Sequence, residues 1–444
     1  MQGRSTGSLR PQDSVMASHV FTGFGFGPIQ AGLFVKEAFQ SGNFARIVAA
    51  EIDQDLVDAV RANGGSYNVN VARSDGIEVL RIDNVEMLNP NVPRDKTILL
   101  EALTQSTQIT TCLPSVDFYD AGGAASVAQL LAQGLKNSRA RATIIYTAEN
   151  NNRAAEILDE AVSRKLAGGG LEKVQFVNTV IGKMSRVVTE PGEIQQRKLA
   201  AIAPGIQRAF LVEQFNRILV SRTRIPGFKP GTEVFIEKDD LLPFEEAKLY
   251  GHNAIHALLG FVGALKGYTS MTEVGQDSAI MKMGRNAFLK ESGAALIKKY
   301  APLQDQLFTE AGYKEYAADL LTRMTNPYLA DTLARVSRDM VRKLGLNERI
   351  FGTMQLALNY GIEPKNMALG ALAGVAVLLQ KADEYRVPQE LRFAPDGMGG
   401  WRCLEEKQIG QVLNWIWAGQ ERADTDRLIR YTYQAIEYSS GVIG

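Results

Sequence analysis

The chain has 444 residues, of which 45% are hydrophobic and 22% charged, and its 49 basic and 49 acidic side chains give a formal net charge of zero. This length exceeds one ordinary hydrophobic core and suits two domains, and the balanced charge argues against nucleic acid as a partner. Two cysteines are too few for a disulfide framework and favour a reducing, cytoplasmic location, and no apolar run approaches the roughly 18 residues of a membrane span.

The first 17 residues lack the apolar centre of a signal peptide, so we expect a flexible leader outside the fold. A short apolar run at 20–22 then enters the glycine-rich stretch GFGFGPIQAG at 23–32, and a helical pattern follows. Strand, glycine turn and helix is the context in which backbone amides approach a pyrophosphate. Pro28 falls where a third motif glycine is expected, so an ordinary tight turn is the alternative.

A second predicted strand at 45–50 ends at Glu51, where an acid can hydrogen-bond the two ribose hydroxyls of NAD and repel the 2′-phosphate of NADP. Further strands are predicted at 79–82, 109–113, 141–147 and 173–181, with a helix at 121–136. The continuous apolar run at 141–147 is typical of a parallel sheet that is covered on both faces. This series predicts a doubly wound α/β domain over 18–225.

Two predicted strands end in residues that belong at the ligand-binding edge of such a sheet. Thr111 and Leu113 lie in ITTCLPS, and Asn150 follows RATIIYT. Ligands of open α/β sheets bind at the carboxyl ends of the strands. An asparagine can equally begin a helix, and this alternative remains open for Asn150.

The segment 223–243 is rich in Pro, Gly and charge, and we expect it to join the two domains, with one short strand at 233–237. Beyond it almost everything has helical periodicity, which predicts a mainly α-helical domain over 226–444. The predicted helices are 244–267, 277–300, 304–323, 327–343, 348–360, 366–385, 405–419 and 424–438. A helical domain after a dinucleotide fold would close a cleft, the usual place for a small ligand.

The apolar helix at 247–267 carries Lys248, Asn253 and His256. At about 100° per residue, Lys248 and His256 lie roughly 80° apart, with Asn253 on the same arc. Burial lowers a lysine's pKa towards neutrality, as a proton-transfer residue requires at pH 7. His252 and His256 are four residues apart, a spacing at which two histidines can bind one metal ion. Position 253, however, is Asn rather than the Glu of a zinc-protease helix. We expect no metal.

At this point the chain resembles the polyol-specific long-chain dehydrogenase/reductase family, which includes mannitol-1-phosphate 5-dehydrogenases, mannitol dehydrogenases and hexuronate reductases. The resemblance rests on motifs in the same order: GFGFGPIQAG, AEIDQ, TTCLPS, AENN, IPGF, KLYGHNAIH, ESGAALIKKY, NPYLADTLARVSRDMVRKL and LNYG. It covers nearly the whole chain after the leader. The fold it implies is an α/β Rossmann-type N-terminal domain followed by a mainly α-helical C-terminal domain.

The resemblance implies a metal-independent mechanism with NAD. Lys248 would take the proton from a secondary alcohol, Asn150 and Asn253 would donate hydrogen bonds to the oxygen, and His256 would hold a neighbouring hydroxyl. The cofactor-binding residues expected from the motifs are Gly23, Gly25, Phe26, Gly27, Glu51, Thr111 and Leu113. The partner is a small polyol or sugar phosphate, and the chain is expected to be a monomer or homodimer.

By the same resemblance, Arg335 and Lys343 would contact the polyol or its phosphate, with Arg338 as a competing candidate. On one continuous helix Arg335, Arg338 and Arg342 would share a face, which suits an anionic end group but also an ordinary solvated surface. Lys183 stands where the family often has an Asp-Arg pair, which leaves the substrate open. We expect a polyol phosphate dehydrogenase of the mannitol 1-phosphate/fructose 6-phosphate type. Two alternatives are a dehydrogenase of a free hexitol or of a sugar acid such as altronate or mannonate, and a non-catalytic NADH-binding protein.

Overall fold

The computed structural model describes residues 19–166, 169–393, 400–420 and 424–443. The predicted leader at 1–17 lies outside these residues. The chain divides into two compact units. The first comprises Met1–Asn70, Val79–Val212 and Asn216–Asp239, and the second Val71–Glu78, Glu213–Phe215 and Asp240–Gly444.

The first unit is built on an eight-stranded sheet with the order β12-β11-β8-β7-β6-β1-β2-β5. Its strands are β1 (His19–Phe24), β2 (Phe44–Ala50), β5 (Val85–Leu88), β6 (Gln108–Thr111), β7 (Thr143–Thr147), β8 (Val174–Ile181), β11 (Ile218–Ser221) and β12 (Phe235–Lys238). The six strands from β5 to β8 in this order are parallel, and β11 pairs antiparallel to β8. The order runs outwards in both directions from β1, so the doubly wound prediction is confirmed.

Helices cover this sheet because each parallel strand needs a crossover connection. They are α1 (Lys36–Ser41), α2 (Gln54–Ala62), α3 (Pro93–Gln105), α4 (Val127–Lys136) and α5 (Ala154–Leu166). A further short helix, α6 (Pro191–Gln196), follows later in the chain and is not one of these crossovers. The apolar faces of α3, α4 and α5 bury Leu103, Leu131 and Leu158 in one core cluster with strand residues Ile109 and Ile145. Such fully buried apolar side chains supply the main stabilisation of the unit.

The strand predicted at 79–82 forms, but not in the parallel series. It is β4 (Ile77–Ile82), and it lies in a separate four-stranded sheet of order β4-β3-β10-β9 with β3 (Tyr67–Ala72), β10 (Ala209–Glu213) and β9 (Ser185–Val188). A tight turn links β3 to β4, in which the Arg73 amide donates to the Gly76 carbonyl over 2.8 Å. A hairpin strand has no crossover helix before it, and the apolar pattern of one short strand does not reveal its partner.

The second unit is mainly helical, as predicted. Its helices are α7 (Leu242–Glu246), α8 (Ala254–Leu265), α9 (Met271–Gln276), α10 (Ser278–Asn286), α11 (Ala294–Tyr300), α12 (Glu310–Met324), α13 (Leu333–Ser337), α14 (Met340–Lys343), α15 (Phe351–Asn359), α16 (Lys365–Gln380), α17 (Glu406–Ile416), α18 (Thr425–Tyr438) and α19 (Ser440–Ile443). The helix predicted from 304 begins at Glu310, after short 3₁₀ turns. In the described part of the chain, none of the helices combines the length and apolarity that crossing a membrane requires.

The continuous helix predicted over 327–343 is wrong. The structure has two short helices, α13 and α14, with Arg338 and Asp339 between them. Arg338 is extended, with ψ 142°, and Asp339 adopts the left-handed conformation, with φ 63°. Asp and Asn visit this region more easily than other residues with a Cβ, so the break falls at a residue that tolerates it. The arginines of this segment therefore do not share one helical face.

Three helices contain a π-helical turn, which the 3.6-residue periodicity did not predict. These turns are Gln30–Val35 before α1, Ala247–Asn253 between α7 and α8, and Ala287–Gly293 between α10 and α11. A π turn shifts hydrogen bonding from i−4 to i−5 and is found disproportionately at functional sites. Lys248 and Asn253 both lie in the second of these turns, so the prediction of 100° per residue is wrong across it.

Candidate functional site

The glycine turn crosses the carboxyl end of the parallel sheet at close range. Gly25 has φ +80°, and a Cβ atom there would lie 2.7 Å from the carbonyl oxygen of Cys112. The Gly25 amide also donates to the carbonyl of Ala50 over 2.9 Å. Only glycine meets both the left-handed backbone and this contact without strain. The turn is therefore held against the ends of β2 and β6, where dinucleotides bind in this class of fold.

Pro28 does not disturb this turn, because Pro28 and Ile29 form the beginning of the helix that follows it. A proline in the first turn of a helix loses no hydrogen bond, since that amide has no helical acceptor. The close packing expected of a third motif glycine is provided instead by Gly32, where a Cβ would lie 2.6 Å from Cγ1 of Val212. The helix beginning at Pro28 is thus well placed to present its N-terminal amides at the turn.

Glu51 lies directly after β2 and is joined to the glycine turn. One carboxylate oxygen accepts a hydrogen bond from the Phe26 amide over 2.7 Å, and the other accepts from the amides of Ile52 and Asp53 over 2.7 and 2.9 Å. A carboxylate has about four lone-pair sites, so these three bonds leave it able to accept from a ribose hydroxyl. The predicted residues Gly23, Gly25, Phe26, Gly27 and Glu51 therefore lie together in the first unit.

A buried carboxyl group organises the ends of β6 and β7. Glu149 accepts hydrogen bonds from the Thr111 hydroxyl and the Leu113 amide, each over 2.8 Å, and a short one from the Tyr119 hydroxyl. Burial raises the pKa of Glu149 despite these donors. The hydroxyl of Thr111 and the amide of Leu113 are thus used within the protein, which sequence reasoning did not foresee.

Asn150 follows Glu149 and has an exposed side chain. The neighbouring Asn151, not Asn150, performs the helix-start role that was the alternative, since its side-chain oxygen accepts from the Arg153 amide over 2.8 Å. The buried carboxyl group of Glu149 fixes the backbone immediately before Asn150 to the end of the neighbouring strand.

In the second unit, Lys248 is the second residue of the π turn that precedes α8. Its side chain is largely buried, and its pKa is lowered to about 8, chiefly by desolvation. Glu245 opposes this shift and Arg349 contributes to it. An amine with this pKa can both give and take a proton near neutral pH. Asn253 lies in the same turn and His256 one turn further on in α8.

His256 is held by a buried carboxylate that sequence reasoning missed. The Nε2 atom of His256 lies 3.0 Å from Oδ2 of Asp331, and Arg335 donates two hydrogen bonds to the same carboxylate, each over 2.6 Å. Asp331 is 1% exposed, and the bonds from His256 and Arg335 hold its pKa well below the usual range. The carboxylate therefore fixes two of the predicted site residues relative to each other. Its position in NPYLADTLAR, four residues before Arg335, was the available signal.

The remaining predicted substrate residues differ in their surroundings. Lys343 is buried and donates to the carbonyl of Val336 over 2.5 Å, and burial lowers its pKa to about 8. The cations of Arg349, Arg342 and Arg335 lie close enough to lower that pKa further. Arg338 is exposed at the break between α13 and α14. Arg349 was not singled out from the sequence. Burial lowers its pKa.

The second histidine of the predicted pair, His252, is buried, and its ring centroid lies 6.5 Å from that of His256. Burial and the surrounding positive charges hold the pKa of His252 well below 6.5, so it is a neutral imidazole. Among the residues that the structure describes, no group of three or more His, Cys, Asp or Glu side chains is arranged to hold a metal ion.

Fold and site together define a two-unit protein with a doubly wound dinucleotide-binding type of sheet and a helical unit that carries a buried amine. Residues 240–392 match the mannitol dehydrogenase C-terminal domain. Mannitol-1-phosphate 5-dehydrogenase of Halalkalibacterium halodurans is 27% identical over 369 residues, which cover 83% of this chain and 91% of that protein. By this domain match and this relative, the chain is similar to proteins of the mannitol dehydrogenase type.

Solved structures show the same fold. A D-sorbitol dehydrogenase in substrate-free form superimposes with a TM-score of 0.73 at 15% identity, covering 98% of this chain and 96% of that one. The mannitol 2-dehydrogenase of Pseudomonas fluorescens, in ternary complex with NAD and D-mannitol, gives a TM-score of 0.67 at 17% identity, covering 96% and 93%. The fold predicted from the sequence is confirmed.

Proposed function

We propose that the chain is an NAD-dependent polyol dehydrogenase in which Lys248 is the general acid/base. The observation that carries this proposal is the buried amine of Lys248, whose pKa is lowered to about 8, on the same π turn as Asn253. A binding protein gains nothing from the cost of burying an ammonium group, whereas a proton-transfer residue requires it. The name of the curated relative supports the same class of reaction.

The glycine turn and Glu51 fit a dinucleotide. The turn leaves no room for a side chain at Gly25, and the Glu51 carboxylate can accept one further hydrogen bond. Gly23, Gly25, Phe26, Gly27 and Glu51 would hold the cofactor, with Thr111 and Leu113 beside them. Bound NAD would supply the hydride acceptor for alcohol oxidation.

The chain's own residues would manage the proton and the oxygen. In oxidation, the neutral amine of Lys248 removes the hydroxyl proton of the substrate as its C–H hydrogen leaves with both bonding electrons, so a C=O bond forms and Lys248 becomes an ammonium. Asn253 and Asn150 donate hydrogen bonds to the oxygen as it gains negative charge. His256, oriented by Asp331 over 3.0 Å, binds a neighbouring hydroxyl. Reduction runs these steps in reverse.

For the substrate we propose a linear polyol phosphate of the mannitol 1-phosphate/fructose 6-phosphate type. Support comes from the named activity of the curated relative and from the cations of Arg349, Arg342 and Arg335, whose charges all act on Lys343. Arginine's planar fork suits a phosphate oxygen pair.

A free hexitol or a sugar acid is the second candidate, and the ion pairs of the basic segment favour the free hexitol. Arg335 is bound to Asp331 over 2.6 Å, and Arg342 pairs with Glu348 over 2.9 Å and also with Asp339. These carboxylates offset much of the positive charge that a phosphate would need. Arg349 is also paired with Glu348, over 3.4 Å. Discrimination between the two substrates would then depend chiefly on Lys343.

The test is a panel of ketoses, ketose phosphates and keto-acids, followed by the loss of NADH absorbance. We expect the highest kcat/KM with a hexulose phosphate, and a preference for an uncharged hexulose would favour the second candidate. In Lys248→Ala, kcat should fall by about 10²- to 10⁴-fold, while NADH affinity, measured by fluorescence titration, should be unchanged. Lys290→Ala, at an exposed position, is the control. Full activity of Lys248→Ala would refute the mechanism, and tight NADH binding without turnover would favour a non-catalytic NADH-binding protein.

A further inference from the structure

In the π turn that carries Lys248 and Asn253, one backbone carbonyl receives its hydrogen bond from a residue outside this helix. At the end of this turn the Ala254 amide donates to the carbonyls of Leu249 and Gly251 and bypasses that of Tyr250, its α-helical acceptor. The register shift therefore deprives the Tyr250 carbonyl of its regular α-helical donor. A buried carbonyl left without a donor is costly, so such a turn persists only where another group supplies one.

Ser292 supplies a donor. Its hydroxyl donates to the Tyr250 carbonyl over 2.7 Å, and its side chain is completely buried. Ser292 lies in the next π turn, Ala287–Gly293. The Tyr313 hydroxyl lies 3.3 Å from Ser292 Oγ and can donate to it, which leaves the serine proton for Tyr250.

A second hydroxyl and two close contacts hold the same peptide. Thr353 Oγ1 lies 3.2 Å from the Tyr250 carbonyl oxygen, although its proton is shared with the Arg349 carbonyl at 2.6 Å. A Cβ at Gly251 would lie 2.8 Å from the Tyr313 hydroxyl, and one at Gly352 would lie 2.7 Å from the Tyr250 ring. The peptide between Tyr250 and Gly251 is therefore fixed from three elements.

We infer that Ser292 is a positioning residue for the reaction: its hydroxyl stabilises the π register at Tyr250 and thereby sets the direction of Lys248 relative to Asn253. An α-helical turn joins each amide to the carbonyl four residues before it, whereas the π turn joins it to the carbonyl five residues before it. A change from the π to the α register would therefore rotate the side chains before Tyr250 relative to those after it. Lys248 precedes this peptide, whereas Asn253 and His256 follow it. This inference rests on the proposed function, in which all three contact one substrate.

The test compares Ser292→Ala with the wild-type enzyme. Displacing a reacting group by about 1 Å costs on the order of 100-fold in rate, so we expect kcat for ketose reduction to fall by about 10- to 100-fold while KM for NADH stays within twofold. Ser439→Ala is the matched control, because it removes another completely buried serine hydroxyl, which donates to the Ile436 carbonyl over 2.8 Å in the last part of the chain. It should keep kcat within about threefold.

A second measurement does not depend on turnover. The rate at which acetic anhydride labels Lys248, followed by peptide mass spectrometry across pH, reports the titration of its amine. The groups that act on this amine include Glu245 on α7, His252 in the same π turn and Arg349 before α15. In Ser292→Ala the midpoint should move by at least half a pH unit, because the turn no longer fixes the amine among these groups. In Ser439→Ala the midpoint should stay where it is in the wild type.

The two measurements separate the possible failures. An active wild-type enzyme whose Ser292→Ala variant keeps its kcat and its labelling midpoint overturns the role of Ser292 and leaves the proposed function standing. A shifted midpoint in a protein that reduces no ketose keeps the structural role and refutes the function. If Ser292→Ala does not fold, Ser292→Cys replaces it, because a thiol is a weaker donor than a hydroxyl. A lower kcat and a shifted midpoint in Ser292→Cys support the role, and wild-type values of both overturn it.

Discussion

Replacing Lys248 by Met should abolish activity and raise the free energy of unfolding. Lys248 has a pKa of about 8 in the folded chain against an ordinary value of 10.5, and burial is the main cause. Below pH 8 the amine is protonated in the folded and unfolded chains alike, so the full cost of burying the charge is present. The difference between the two pKa values corresponds to about 3 kcal/mol. Met fills a similar space without a charge, so Lys248→Met should raise the free energy of unfolding at pH 7 by up to this amount.

The dependence on pH distinguishes this effect from a change in packing. Between pH 8 and 10.5 the folded chain binds fewer protons at Lys248 than the unfolded chain, so the wild-type protein gains stability from this group as pH rises. The advantage of Lys248→Met should therefore shrink by about 1.4 kcal/mol per pH unit across this window. Urea unfolding of both proteins at pH 7, 8, 9 and 10 measures it, with Lys290→Met, at an exposed position, as the control. A constant difference between wild type and Lys248→Met from pH 7 to 10 would refute the reasoning.

Three further substitutions test the other parts of the site. Glu51→Ala should reduce the preference for NAD over NADP in kcat/KM by about tenfold or more, because hydrogen bonds to charged groups contribute about 1.5–3 kcal/mol; an unchanged ratio would remove Glu51 from ribose recognition. Gly25→Ala should abolish NADH binding in a fluorescence titration and lower the urea midpoint, since its Cβ would lie 2.7 Å from a carbonyl oxygen, whereas Gly27→Ala, where a Cβ meets nothing within 4 Å, should keep the midpoint. Asp331→Asn should lower kcat/KM by about 10- to 100-fold because the imidazole and guanidinium lose their shared carboxylate, and Asp319→Asn, at an exposed ion pair of Arg323, should not; equal values for these two variants would contradict the orienting role.

The parallel sheet was predictable because each of its features has a local sequence signal. The glycine turn after β1, the acid after β2 and the continuous apolar run of β7 all indicate strands that helices cover on both faces. The second sheet lacks such signals. Its strand β4 has the same apolar composition as a strand of the parallel series, and only the pairing of distant segments in the folded chain distinguishes the two.

The sequence singles out candidate site residues, which remain a prediction, but it does not indicate their geometry. Lys248, Asn253 and His256 were singled out by their spacing. The π turn that carries the first two accepts a hydrogen bond from Ser292, about 40 residues later, which that spacing does not indicate. The bond between Asp331 and His256 joins residues 75 positions apart, which helical periodicity cannot indicate. The break at Asp339 arises from a single left-handed residue inside an otherwise helical pattern.

The pH dependence of kcat/KM in both directions of the reaction tests the central claim most directly. If Lys248 exchanges the proton with a pKa of about 8, polyol oxidation should increase about tenfold per pH unit below pH 8 and level off above it, whereas ketose reduction should be constant below pH 8 and decline above it. Rates of oxidation and reduction that both pass through pH 8 without a change of slope would contradict the account.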